Sequence, residues 1–206
     1  MLKKTIILHD YFESLEGGGR LSSILAQELP ADLGYGFAHF EHPFLNWSQD
    51  KIRKRKKETG NRLYDLQAYS AIPLWRQFKL ARTFAKRTTF LENYETVIYS
   101  GFYTPLAVSH HQTGQNILYC HTPPRFIYDQ RNFYLNQLPI FLRPALQAFI
   151  YYLQPRYENA IAQMDCLIAN SQNVQQRIHH YLGKKAYIIH PPCDTNRFVW
   201  QGQSDY

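Results

Sequence analysis

The chain has 206 residues, 45% of them apolar and 19% charged, proportions that suit a folded domain with a sizeable core and exclude a disordered polypeptide. Its 23 Lys and Arg against 16 acidic residues leave a formal charge of +7, a surplus that would attract a phosphate-bearing ligand, an anionic membrane surface or nucleic acid without choosing among them. The three cysteines have no paired spacing, and no stretch approaches the roughly 20 apolar residues of a bilayer span, which excludes a disulfide scaffold and a membrane-crossing helix. A reducing cytoplasm is the simplest setting, and any membrane contact would be peripheral.

Met1 to Leu8 is too short an apolar run for a signal peptide, and Thr5 to His9 reads as a buried parallel strand. From Arg20 to Leu29 apolar residues recur at helical spacing through Leu21, Ile24, Leu25 and Leu29, with Gly17, Gly18 and Gly19 as a turn before them. Strand, glycine turn and helix open many nucleotide-binding folds, because glycine lets backbone amides approach a phosphate at a positive helix N-terminus. Gly34 to Phe40 reads as a weak second strand and Tyr64 to Tyr69 as a third. Between them the run Lys51 to Lys57 reads as a solvated loop, with a nucleic-acid or membrane-facing patch as alternatives.

Helical stretches are expected around 73–92, 138–163 and 172–182. In the first, Leu74, Phe78, Ala81, Phe84 and Ala85 share one side, and Arg76, Lys79, Arg82, Lys86 and Arg87 the other. Packing on a sheet explains the apolar side of this basic amphipathic helix, and anionic lipid would explain the other. Three strands, Thr96 to Tyr99, Asn116 to Cys120 and Cys166 to Ala169, each run into polar residues or glycine, and Ala186 to His190 makes the last. The alternation predicts a single α/β Rossmann-like domain, a mostly parallel sheet with helices on both faces.

Loops leaving the carboxyl ends of such strands gather where ligands bind. His9-Asp10, the glycine run, Ser100-Gly101, His121 to Arg125, Asn170-Ser171 and Pro191-Pro192 all fall there. The glycines depart from G-x-G-x-x-G and lack a Walker ending, so they are either a phosphate approach or a turn with positive φ. Pro123 and Pro124 hold the loop after His121 extended and fix the direction of its side chains. His121 is then a site residue or a satisfied structural histidine, and Arg125 binds an anionic group or pairs with Asp129. Asn170 or Ser171 fits a helix N-cap as well as a site. His110-His111 and His179-His180 lack companion ligands, so no metal is expected.

Read in order, these landmarks resemble the N-terminal domain of family 4 (group 1) GT-B glycosyltransferases, especially the mannosyltransferase-like members. The resemblance runs from Ile6 to Phe198 through His9-Asp10, Gly17 to Gly19, Tyr119-Cys120-His121-Thr122-Pro123-Pro124-Arg125-Phe126, Ile168 to Ser171 and on through Ile178, and Ile189 to Phe198. It implies two Rossmann-like domains facing a cleft, with a nucleotide-sugar donor such as GDP-mannose held mainly by the C-terminal one. A glycan or lipid-linked acceptor would be held mainly by this one. It also implies retention of anomeric configuration with no required metal and no tightly bound cofactor.

Carried over by position, Gly17, Gly18 and Gly19 would lie near the donor phosphates and the acceptor, His121 would face the transferred sugar, and Arg125 would line the acceptor side. Asn170 and Ser171 would sit at the cleft floor or cap a helix, and Pro191 to Asp194 would lead into a linker. Two features depart from the family. Gly19-Arg20 stand where Ala-Glu is frequent, so no residue there takes that carboxylate's role, and the chain ends eight residues after Phe198. The expectation is therefore an acceptor-side domain over 1–198, a linker or truncated tail over 199–206, no donor-binding domain, and little transfer by the 206 residues alone. Two rivals stand beside it: a stand-alone binding module using its basic surface on lipid or nucleic acid, and a dinucleotide oxidoreductase with Glu41 near the end of the second strand. Nucleic acid is not expected as a partner of the glycosyltransferase.

Overall fold

A computed structural model of the chain describes residues 3–193 except 15, 30, 40–44 and 46–61. The basic run 51–57, Glu41 and everything from Asp194 onward lie outside the described residues. Seven parallel strands form one sheet: β1 (Lys3–His9), β2 (Ala31–Tyr35), β3 (Leu63–Asp65), β4 (Tyr94–Ser100), β5 (Gln115–Cys120), β6 (Cys166–Ala169) and β7 (Tyr187–Ile188), in the order β3-β2-β1-β4-β5-β6-β7. The helices described over their full length are α1 (Gly17–Glu28), α2 (Pro73–Lys86), α3 (Arg131–Asn136), α4 (Arg143–Ala162) and α5 (Gln172–Leu182). This is the α/β Rossmann-like domain expected, with every strand pair parallel.

The central strands are apolar on both faces because both are covered. Ile6, Ile7 and Leu8 of β1 are all fully buried although successive side chains point to opposite faces. Ile7 joins Ala26, Ala31 and Leu33 under α1. Ile6 and Leu8 join Val97, Leu118, Leu80 and Phe84 of α2, Ile150 and Leu153 of α4, and Ile178 of α5 on the other side. Strand order reverses between β1 and β4: the chain moves outward from β1 to β3, then returns to add β4 beside β1. The gap opening above these two strands is where ligands enter doubly wound sheets.

Several boundaries differ from the expectation for local reasons. The second strand is Ala31–Tyr35 rather than Gly34 to Phe40, because the buried Asp32 is satisfied by Tyr94 Oη–H and the Arg62 amide. The third ends at Asp65, and the last covers only Tyr187 and Ile188. The helix expected over 73–92 stops at Lys86, where Thr88 Oγ1 donates to the Phe84 carbonyl, and a 3₁₀ turn follows over Thr89–Asn93. The stretch 138–163 becomes a 3₁₀ turn over Ile140–Leu142 and then α4. The glycine run is the first turn of α1 itself, with no positive φ, so the turn-forming reason for its glycines does not hold.

Candidate functional site

A cavity of about 310 Å³ opens at the switch point between β1 and β4. The end of β1, the loop after it and the start of α1 supply His9, Asp10, Glu16, Gly17 and Gly18 to its wall. The loop after β4 gives Gly101 and Phe102, that after β5 gives His121 and Thr122, and Asn170 and Pro191 close the far side. Among the expected site residues, Gly17, Gly18, His121 and Asn170 thus share one wall, whereas Gly19, Arg125 and Ser171 do not line it.

Asp10 is the most constrained of these groups. Its carboxylate accepts amide hydrogen bonds from Phe102, Tyr103 (2.9 Å) and Thr104 (3.1 Å), tying the loop after β1 to the loop after β4. Burial pushes its pKa up to about 6, outweighing the three amides, which favour the ionised form. Gly101 adjoins it without room for a side chain, since a Cβ there would fall on the carboxylate.

His121 stands on a polar chain that runs back into the sheet. Its Nε2 lies 2.8 Å from Ser100 Oγ, Ser100 Oγ lies 2.9 Å from Ser22 Oγ, and Ser22 donates to the Gly18 carbonyl over 2.9 Å. His9 Nδ1 lies 2.7 Å from the Ser100 carbonyl and 3.1 Å from Ser22 Oγ. One proton assignment serves every contact: His121 Nε2–H donates to Ser100, Ser100 to Ser22, Ser22 to the Gly18 carbonyl, and His9 Nδ1–H to the Ser100 carbonyl, with Ser22 Oγ as its second, more distant acceptor. The Nδ1 of His121 is left as an acceptor. Burial lowers the His121 pKa, with the charge of Glu16 opposing, so the ring is neutral near pH 7.

Gly18 packs on this ring, where an added Cβ would lie 3.3 Å from Nε2. Gly19 serves packing in the same way, a Cβ meeting Phe12 at 3.3 Å. Ser171 caps α5 by accepting from the Val174 amide and donates to Asn170 Oδ1 over 3.0 Å. That bond turns Asn170 Nδ2 toward the His121 carbonyl, 3.1 Å away, so Ser171 acts on the cavity through Asn170. Burial pushes the neighbouring Cys120 thiol up to about 12, which leaves it a packed apolar group rather than a nucleophile.

Arg125 takes the alternative open to it: Nε and Nη2 donate to Asp129 Oδ2 at 3.2 and 3.1 Å. Arg177 grips the same carboxylate at 2.8 and 2.9 Å, and the two guanidinium groups, Arg177 foremost, hold the Asp129 carboxyl well below the usual carboxylate range. Because the folded pKa is depressed, this contribution to stability is present above the ordinary value near 3.8 and is lost as pH falls through the folded one. Arg177→Ala is expected to move the Asp129 titration, followed by carboxyl-carbon NMR, upward toward the ordinary range; an unmoved curve would assign the depression to Arg125 alone.

His111 is fully buried between Asn116 Oδ1 and the Tyr94 carbonyl, and His110 meets Thr88, so that pair is structural. Among the described residues no group of three or more His, Cys, Asp or Glu side chains could hold a metal. Among the described residues the cavity wall carries two carboxyl groups, two imidazoles and an amide, and no Lys or Arg. Ser22 and Glu16 are not marked as site residues by their sequence neighbourhoods, and Ser100 is placed at the ligand-binding edge without a role. For Ser100 its place at a strand end beside Gly101 was a signal, but Ser22 sits mid-helix and nothing local distinguishes it.

Fold and cavity define the class of this protein: a single Rossmann-like α/β domain with a polar cavity at the topological switch point. No protein-family model matches the chain, and no curated protein matches it as a relative. What the cavity does has to follow from its own side chains.

Proposed function

We propose that the chain is the acceptor-side domain of a retaining glycosyltransferase that moves a sugar from a nucleotide-sugar donor, such as GDP-mannose, to a glycan or lipid-linked acceptor. The observation that carries this reading is the convergence of His9-Asp10, Gly17-Gly18, His121 and Asn170, landmarks spread over 160 residues of sequence, on one cavity. Its lining suits hydroxyl groups. Carboxylates and a neutral imidazole accept hydrogen bonds from a sugar, an amide both donates and accepts, and two carboxyl groups with no cation among the described lining residues disfavour a diphosphate there. A donor diphosphate would need its positive partners from another part of the protein.

His121 Nδ1 accepts from an acceptor or transferred-sugar hydroxyl, while the Ser100–Ser22 chain fixes the ring and its tautomer. Holding the ring this way contributes through positioning, the larger part of catalysis when attack and departure share one face. The test is a transfer assay on the protein translated from its complete reading frame, with a panel of nucleotide sugars. His121→Ala is expected to lower kcat about 100-fold, a size typical of a lost hydrogen-bonding or proton-handling group, with the unfolding midpoint little changed. Unchanged turnover would remove His121 from the site, and no transfer from any donor would overturn the reading.

A further inference from the structure

Between α2 and α4 runs a second recess of about 620 Å³, walled by Leu74, Phe78, Leu138, Ala145, Phe149 and Tyr152. Two of its lining side chains stand in the open, Ile72 65% exposed and Trp75 56%, and Ile140 (77%) and Phe141 (75%) stand in the open on the 3₁₀ turn between its lining residues Leu138 and Leu142. Two such side chains in one apolar trough, with two more on the turn that contributes Leu138 and Leu142 to it, exceed the scattered exposure expected of a solvated surface. On the far side of Trp75 and Phe78 the surface turns basic, where Lys79, Arg82, Lys86 and Arg87 line an adjoining hollow. None of these four forms an ion pair among the described residues. Arg76, on the same helix, is held by Glu13 and takes no part.

We propose that this face docks on an anionic lipid bilayer, with Trp75, Ile140 and Phe141 entering the boundary between headgroups and acyl chains and the four cations resting on the headgroups. Aromatic and aliphatic side chains beside Lys and Arg are what an element lying in the membrane interface presents. The charge argues against a second copy of the chain: a two-fold contact through this face would set its four cations near their own duplicates. The aliphatic rim argues against nucleic acid, since Ile72 and Ile140 offer nothing to phosphate or to a stacked base. No described helix is long and apolar enough to cross a membrane, so contact through these helices would be interfacial.

The fold adds a consequence of position. In parallel crossovers the helices run back against the strands, so the starts of α2 and α4 lie at the carboxyl edge of the sheet, the edge that bears the cavity. The apolar end of this face, with Ile72 and Trp75, therefore lies toward the edge where the cavity opens, and Lys86 and Arg87 at the end of α2 lie away from it. The docking does not depend on sugar transfer and stands or falls by its own test.

That test is co-sedimentation of the full chain with vesicles of phosphatidylcholine containing about a third phosphatidylglycerol, the anionic lipid that supplies the surface potential. Binding at least tenfold tighter than to pure phosphatidylcholine, and weakened by 0.5 M added salt as screening demands, is expected (salt level approximate, ~0.5 M). The triple change Lys79→Glu, Arg82→Glu and Lys86→Glu should weaken it tenfold or more, and so should Ile140→Ser with Phe141→Ser (both ~10-fold). Four of the five positions are exposed and Lys79 is half-buried, its Nζ donating to the Tyr69 carbonyl over 2.8 Å, so circular dichroism and the unfolding midpoint would verify that both variants fold. Failure to sediment with anionic vesicles, or full binding by either folded variant, would overturn the proposal. So would a dimer in solution that the Ile140 and Phe141 changes dissolve, which would assign the face to a second copy.

Discussion

Gly101→Ala is expected to destabilise the domain by about 4 kcal/mol, the sum of an overpacking strain and at least one lost amide hydrogen bond to a buried carboxylate. The backbone at Gly101 does not demand glycine, because the described glycines with positive φ are Gly114 and Gly183. Space does. The added methyl would fall on the Asp10 carboxyl group, which is held from three sides by the Phe102, Tyr103 and Thr104 amides and is 6% exposed. Either the carboxylate leaves those amides or the loop after β4 shifts, and both reshape the cavity wall. A loss of this size is a large share of the roughly 5–15 kcal/mol that keeps a domain folded, so it should be plain in urea unfolding midpoints. A double-mutant cycle identifies the cause: with Asp10→Ala in place, the further cost of Gly101→Ala should fall to about 1 kcal/mol. An undiminished cost would put the clash elsewhere.

The parts of the fold legible in the sequence were those whose burial is written in consecutive residues. Ile6 to Leu8 are covered on both faces, and Ile117 to Cys120 and Leu167 to Ala169 nearly so, with Ile117 and Ile168 half-buried, and all three runs are apolar without a break. β2 was displaced in the reading because Asp32 interrupts it, and the groups that make a buried Asp32 tolerable, Tyr94 and Arg62, lie 62 and 30 residues away. The site shows the same division. His121 and Asn170 could be placed at the cavity edge because each directly follows a strand, and strand ends are local. The Ser22–Ser100 bond spans 78 residues, and serines in an amphipathic helix and at a strand end carry no mark of meeting. The sequence leaves the glycine run as a phosphate approach or a turn with positive φ; none of the three has positive φ, and Gly18 and Gly19 pack closely on His121 and Phe12, contacts that no local pattern announces. Arg125 had two partners open to it, and the one four residues away prevailed because a helical turn delivers it.

Replacing Asp10 by Asn should remove a pH dependence that the wild-type domain carries between about pH 4 and 6. The folded pKa of Asp10, about 6, stands above its ordinary value of 3.8, so in this window the folded state holds a proton that the unfolded chain has released. Stability from this group is therefore greatest below pH 4 and declines as pH rises, by about 3 kcal/mol once both states are ionised. His121 works in the opposite sense. Its lowered pKa means that stability is lost as pH falls below the ordinary value of 6.5, so the wild-type curve contains two opposed slopes. The difference between wild type and Asp10→Asn isolates the carboxyl, since Asp10 is not among the causes of the His121 shift. At pH 4 the variant should be the less stable by about 1–3 kcal/mol, because its NH₂ faces an amide that an oxygen had satisfied. By pH 7.5 the gap should close or reverse, the wild type then bearing a buried charge that the variant lacks. Urea midpoints at half-unit pH steps would show this crossing, and a gap that stays constant from pH 4 to 7.5 would mean that Asp10 titrates near its ordinary value and enters the cavity chemistry only as a fixed carboxylate.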